Sequence, residues 1–256
     1  MNKLIAVAGF AAAVSTLAAL PSVALAQDKA AESPHSFAGN MSLVSEYRFR
    51  GLAQTDFRPA LQGGFDYSHA SGFYLGTWAS NVSWLADAGA GSGSSLELDF
   101  YGGYRGKVGD FGYDVGLLQY YYPGSYSAWT DAGNPKPNTL EAYVAGSWQM
   151  LTVKYSHALS ELFGVPDSKN SYYLELNGNF DVGAGFGLAA HVGRQKVKNA
   201  SDCSYTDWKL GLTKSFVGLD WGLAYVDTNA KDACYLNYRN KNLGKEALVL
   251  SVGKTF

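Results

Sequence analysis

The sequence predicts an all-β protein, an up-and-down antiparallel transmembrane β-barrel of about twelve strands. Three observations carry this. Segments of roughly ten residues alternate apolar and polar side chains at period two. The connections between them alternate long and short. The chain is rich in aromatic residues and glycine, yet beyond its N-terminus it has no long apolar run.

Composition limits the alternatives. Charged residues make up 16% of the 256, aromatics 14%, and glycine contributes 30. A charged fraction below the usual quarter points toward a membrane, but a spanning helix needs roughly 18 uninterrupted apolar residues. Strands dilute their apolar residues by alternation and escape that requirement. The formal net charge of −2 gives no bias toward nucleic acid, so no nucleic-acid partner is expected.

Residues 1–26 account for the one apolar run. Lys3 supplies a positive start, residues 4–20 an apolar stretch, and Ala24-Leu25-Ala26 a small-residue cleavage site. This predicts a signal peptide cut between Ala26 and Gln27, hence export. The expected organisation is a signal peptide over 1–26, a periplasmic lead over 27–36 and a barrel over 37–256.

The first expected strand, 37–50, sets Phe37, Gly39, Met41, Leu43, Ser45, Tyr47 and Phe49 against Ala38, Asn40, Ser42, Val44, Glu46, Arg48 and Arg50. Its length exceeds that of an ordinary globular strand and suits a tilted barrel wall. In 60–69, Leu61, Phe65 and Tyr67 oppose Gln62, Asp66 and Ser68. The faces of 73–84 stay open, because Tyr74 and Trp78 compete with Phe73 and Leu75. The pattern recurs at 96–105, 111–122, 140–150, 151–160, 172–181, 186–196, 205–216 and 219–228. The last segment, 246–256, puts Leu248, Leu250, Val252 and Phe256 on one side. A terminal strand ending in Phe resembles the signal by which outer-membrane barrels are recognised for insertion, which implies the barrel-assembly machinery as a partner.

Loop parity is the strongest argument. Outer-membrane barrels have short periplasmic turns, long external loops and an even strand count, and a soluble sandwich has no reason to sort its loops this way. Aromatics sort too. Tyr67, Phe73, Phe111, Trp148, Phe180, Phe186, Phe216, Trp221 and Phe256 lie beside the short turns. Tyr47, Phe49, Trp84, Tyr121, Tyr155, Tyr172, Trp208 and Tyr225 lie toward the long loops. Two such bands would bound an apolar belt facing outer-membrane lipid.

The stretches Ser45-Glu-Tyr-Arg-Phe-Arg-Gly51, Gln54-Thr-Asp56, Pro59-Ala-Leu-Gln-Gly-Gly-Phe-Asp-Tyr67, Ser71-Gly-Phe-Tyr-Leu-Gly-Thr-Trp-Ala-Ser-Asn81 and Leu96-Glu-Leu-Asp-Phe-Tyr-Gly-Gly-Tyr104 resemble the TorF family of porin-like proteins of proteobacteria. The match is close over the first half of the mature chain and looser beyond Tyr122. The resemblance implies an outer-membrane barrel with a channel role. It supplies neither a substrate nor catalytic residues.

By parity the inward set contains Glu46, Asp66, Glu97, Asp99, Asp114, Glu141, Glu175 and Asp207, with Asp181 and Asp220 near the turns. Against them stand Arg48, Arg50, Arg105, Lys154 and Lys209. Acidic rings favour cations, whereas mutual pairing would fill the lumen instead. A twelve-strand bore is intermediate between a filled eight-strand barrel and a wide porin. The expectation is a narrow channel for ions or small polar solutes in the bacterial outer membrane. A closed structural or adhesive barrel is the alternative, and Tyr120–Tyr122, Tyr126 and Trp129 would line the mouth of a solute-specific channel.

Cys203 and Cys234 flank one predicted hairpin in an oxidising compartment and are expected to form a disulfide. No cofactor or metal is expected. A lipid hydrolase would need Ser and His on one face. His157 faces out while Ser156 faces in, Ser160 shares the parity of Ser156, and His69 with Ser71 sits at a short turn. Catalysis is therefore not expected.

Overall fold

The computed structural model of the protein describes residues 33–88 and 95–256. The predicted signal peptide, its cleavage point at Ala26 and Gln27, and most of the lead lie outside them. In chain order the strands are β1 (His35–Val44), β2 (Arg48–Phe49), β3 (Leu52–Ala53), β4 (Ala60–His69), β5 (Phe73–Asn81), β6 (Leu96–Val108), β7 (Phe111–Tyr121), β8 (Thr139–Trp148), β9 (Leu151–Ala158), β10 (Tyr172–Gly183), β11 (Phe186–Lys196), β12 (Tyr205–Phe216), β13 (Leu219–Thr228) and β14 (Ala247–Thr255). All but β2 and β3 form one closed antiparallel barrel of twelve strands, each paired with its neighbour in the chain. β1 pairs with β14 to close the ring, and β2 and β3 form a separate small hairpin.

The barrel is apolar outside and polar inside. Phe37, Phe65, Leu210, Leu248 and Leu250 are exposed, while Glu97, Asp99, Glu141 and Asp207 are buried. A globular core would show the reverse, and so broad an exposed apolar surface suits lipid. Register keeps each set on its side, since a slip of one residue would turn every lipid-facing side chain inward. At closure Leu43 pairs with Val252 and Val44 with Ser251. The open question over β5 resolves in favour of Tyr74 and Trp78 as the buried face, with Phe73 and Leu75 exposed.

Connections at one end are short turns. At the other end they are long and carry α1 (Trp84–Asp87), α2 (Ser127–Asp131), α3 (Asp232–Tyr235) and a 3-10 turn at Ser201–Cys203. The Cys203–Cys234 disulfide ties the loop before β12 to the loop before β14. The exposed Asp202 beside it accepts a hydrogen bond from Lys231 at 2.8 Å, and that bond, with the ammonium charge, lowers its carboxyl below the ordinary range.

The first segment departs from expectation. The predicted strand over 37–50 begins two residues early, at His35, and stops at Val44. Residues 45–59 turn into the barrel. The Ser45 amide still donates to the Leu250 carbonyl, and the Ser45 hydroxyl accepts from the Leu250 amide, holding the departing chain to the wall. Left-handed backbone at Arg50, Gly51, Asp56 and Phe57 then reverses it. Tyr47 and Phe49, expected in an interfacial ring, therefore lie inside. Tyr47 meets Trp78 edge-on at 5.5 Å, and Phe49 meets Tyr120 and Phe163. Trp84 likewise leaves the ring, sitting on α1 against Tyr122.

Candidate functional site

The β2–β3 hairpin crosses the bore near the long-loop end. Its two-residue turn, Arg50-Gly51, has φ of 47° and 79°, the left-handed pair of a type I′ turn. Gly suits this conformation at no steric cost, whereas Arg is strained in it and stays only because its surroundings hold it. Arg50 grips the Glu141 carboxylate on β8 with two parallel bonds of 3.0 and 2.7 Å, the fork geometry peculiar to guanidinium. It also donates to Gln195 on β11 at 2.8 Å and lies 4.3 Å over the Tyr173 ring on β10. A side chain on the segment that leaves β1 thus holds three strands of the far wall.

Other bonds fix the rest of the segment. Tyr47 and Tyr122 each donate to one oxygen of Glu97 at 2.8 Å. Arg48 pairs with Glu46 at 2.9 Å and donates to the carbonyls of Leu243 and Lys245. The Ala53 amide also donates to Leu243. Asp56, fully buried, is held by Arg58, Asn237 and Arg239. The loop before β14 therefore clamps the plug from outside while Glu141 and Glu97 hold it from within.

Gly51 shows how tightly the tip fits. A Cβ there would lie 2.7 Å from that of Asp207 and closer still to the Thr228 methyl. Gly51→Ala is expected to unseat the hairpin while leaving the barrel strands formed, at about 1–3 kcal/mol. Far-UV circular dichroism should be unchanged and the heat-unfolding midpoint lowered. An unchanged midpoint would contradict the fit.

The remaining wall residues form two polar clusters. On one side Tyr101 donates to Asp66 at 2.6 Å, Tyr74 donates to Asp114 at 2.6 Å, and the Tyr74 and Tyr143 hydroxyls touch. Arg105 stacks over the Tyr74 ring and Lys154 over that of Tyr143. On the other side His191 bridges Asp207 at 2.8 Å and Asn177 at 2.7 Å, with Glu175 at 3.7 Å. Tyr173 donates to the second Asp207 oxygen, and Lys209 pairs in register with His191.

The predicted lumen residues thus fall into three groups. Glu46, Arg48 and Arg50 stand on the crossing segment rather than on the wall. Glu97, Asp99 and Glu141 line the wall it covers. Asp66, Arg105, Asp114, Lys154, Glu175, Asp207 and Lys209 belong to the two clusters. Arg50–Glu141 and Arg48–Glu46 form direct guanidinium–carboxylate pairs. Of the aromatics expected at an open mouth, Tyr120 and Tyr122 are buried beside the plug, Tyr126 is buried in the same apolar cluster, Tyr121 is exposed, and the Trp129 indole donates to the Pro135 carbonyl. His191 was missed, although the alternation of 186–196 places it inward. Between Phe49, Arg50, Tyr120, Lys154, Ser156, Tyr173 and Glu175 the open space is about 10 Å³, roughly the room that one water molecule needs.

The serines and histidines weighed from sequence make the following bonds. His157 bonds Tyr155 and Asn170, and Ser160 bonds backbone groups. His69 bonds Ser71 within an exposed short turn.

A closed twelve-strand barrel with a polar interior and an apolar exterior is the architecture of small outer-membrane porins. The KdgM porin superposes with a TM-score of 0.52 at 10% identity, over 86% of this chain and 98% of that one. The KdgM porin in complex with disordered oligogalacturonate gives 0.50 at 9%, over 86% and 98%. The NanC porin gives 0.51 at 10%, again over 86% and 98%. At these identities the likeness is one of fold. The chain itself belongs to the family described as "Bacterial protein of unknown function (Gcw_chp)", whose profile matches residues 28–256. No curated protein matches it. The family description names no function, so the porin side of the TorF resemblance rests on the fold.

Proposed function

We propose that the protein is a narrow outer-membrane channel for ions or small polar solutes, with a preference for cations and with residues 45–59 as its constriction. The observation that carries this reading is the acid excess inside the barrel. Once Arg50–Glu141 and Arg48–Glu46 are paired, Asp66, Glu97, Asp99, Asp114, Glu175 and Asp207 are set against Arg105, Lys154 and Lys209. Carboxylates along a low-dielectric bore attract cations and repel anions. An oligogalacturonate, bound by the KdgM porin, carries carboxylates that this wall would repel, so a polyanionic saccharide is a poor fit here.

The chain is exported after cleavage between Ala26 and Gln27. It is inserted through its C-terminal strand and Phe256 by the barrel-assembly machinery, and held in outer-membrane lipid by the apolar face. In planar bilayers under a salt gradient, the expected reversal potential takes the sign of cation preference. A potential of the opposite sign would refute the selectivity. A second reading, a sealed barrel with partner-binding loops, is favoured by the bonds that seat the hairpin across the bore on Glu97, Glu141 and Gln195. Folded protein that never conducts, even with the hairpin released, would establish that reading instead.

A further inference from the structure

Asp99 is the anomaly of the lumen. It projects from β6 between its register partners Trp78 on β5 and Tyr120 on β7. It is 0% exposed, and among the described residues neither carboxylate oxygen has a hydrogen-bond partner. Its strand neighbour Glu97 accepts from two tyrosines, and Glu141 across β7 is held by Arg50. Of these three acids, Asp99 alone gains nothing from the seated plug. Tyr47, arriving from residues 45–59, lies over the adjoining Trp78 and Glu97, so the plug helps to shut Asp99 off from water. A buried carboxyl without partners costs free energy in either protonation state, and more when ionised.

We propose that segment 45–59 and a lumenal monovalent cation compete for the Asp99 wall, and that Asp99 keeps the seated plug metastable so that cations can displace it. This deepens the channel reading and rests on it. Seating satisfies Glu97 and Glu141 but strands Asp99. Withdrawing the segment lets water and a cation reach the carboxylate. Calcium and magnesium take six or more oxygen ligands, several of them from protein or retained water. A carboxylate standing between the aromatic residues Trp78 and Tyr120 on the neighbouring strands suits a weakly hydrated monovalent cation better. A cation that binds only the open form shifts the population toward it.

Ser156, buried at the constriction beside Phe49 and Arg50, reports the plug's position. Ser156→Cys in the full mature protein should react with a small cationic methanethiosulfonate only when the segment withdraws. Asp99→Asn keeps the shape and gives the neighbouring carboxylates an N–H donor. It is expected to slow labelling about tenfold or more and to raise the heat-unfolding midpoint. At fixed ionic strength, replacing potassium by N-methylglucamine should slow labelling in the protein that retains Asp99 and leave the Asp99→Asn variant unchanged. Labelling that is no slower in Asp99→Asn, or a rate indifferent to the cation while Asp99 is present, overturns the proposal. If labelling is too slow to measure in both, the midpoint decides, and no rise with Asp99→Asn overturns it. Current in planar bilayers is read separately. Its absence would overturn the channel reading and this proposal with it, whereas current together with a failed labelling test would overturn this proposal alone.

Discussion

Arg50→Ala is expected to open the barrel. The substitution deletes the fork on Glu141, the bond to Gln195 and the stacking on Tyr173 in one step. It also strands Glu141, which is 1% exposed. Breaking a buried ion pair from one side costs about 3–5 kcal/mol, and nearly all of that falls on the seated form, because a released segment returns Glu141 to water. A shift of that size can invert a two-state population. Single-channel recordings should therefore show Arg50→Ala open for most of the time and the unsubstituted protein mostly closed. Adding Glu141→Gln should restore part of the closure, since an amide tolerates the missing partner better than a carboxylate. Identical currents from Arg50→Ala and the parent would mean that the hairpin does not limit flow.

Removing the disulfide is expected to have the next largest effect. Cys203 and Cys234 are 31 residues apart, and closing a loop of that length contributes about 3–4 kcal/mol in the chain-entropy account. The local structure suggests a second consequence. The loop held by Cys234 also carries Asn237 and Arg239, which grip Asp56, and the Leu243 carbonyl, which receives Ala53 and Arg48. Cys203→Ser with Cys234→Ser should lower the heat-unfolding midpoint and raise channel current together. A lowered midpoint with unchanged current would confine the bridge to stabilising the loops.

The sequence foretold the wall better than the plug, for a physical reason. Strand and lumen faces follow from period-two alternation, which β6 shows in Leu96, Leu98 and Phe100 against Glu97, Asp99 and Tyr101. The cysteine pairing follows from hairpin geometry. Residues 45–50 continue the same alternation as β1, so nothing in the pattern marks where the strand leaves the sheet. What separates them is tertiary: Glu97, Glu141, Gln195 and Tyr173 lie far away in the chain and together hold Tyr47 and Arg50. The Arg50-Gly51 pair was the available hint, because Gly next to a polar residue is a turn signal. His191 is harder to read, because its neighbours along β11 at the same parity, Ala189 and Gly193, are small and uncharged and leave the inward face unmarked.

The ring closes through Asn40–Val44 against Ser251–Thr255, so the earliest strand of the barrel waits for the last. Until both are present, any partial sheet carries two margins of unpaired amides and carbonyls along with a greasy surface. Contacts of such sequence separation form slowly, and open margins recruit other chains. The hazard for this protein is therefore concentrated in the interval before its seam is zipped, and a lesion at Val252 or Ser251 should cost more in yield of folded barrel than an equal lesion in any inner hairpin.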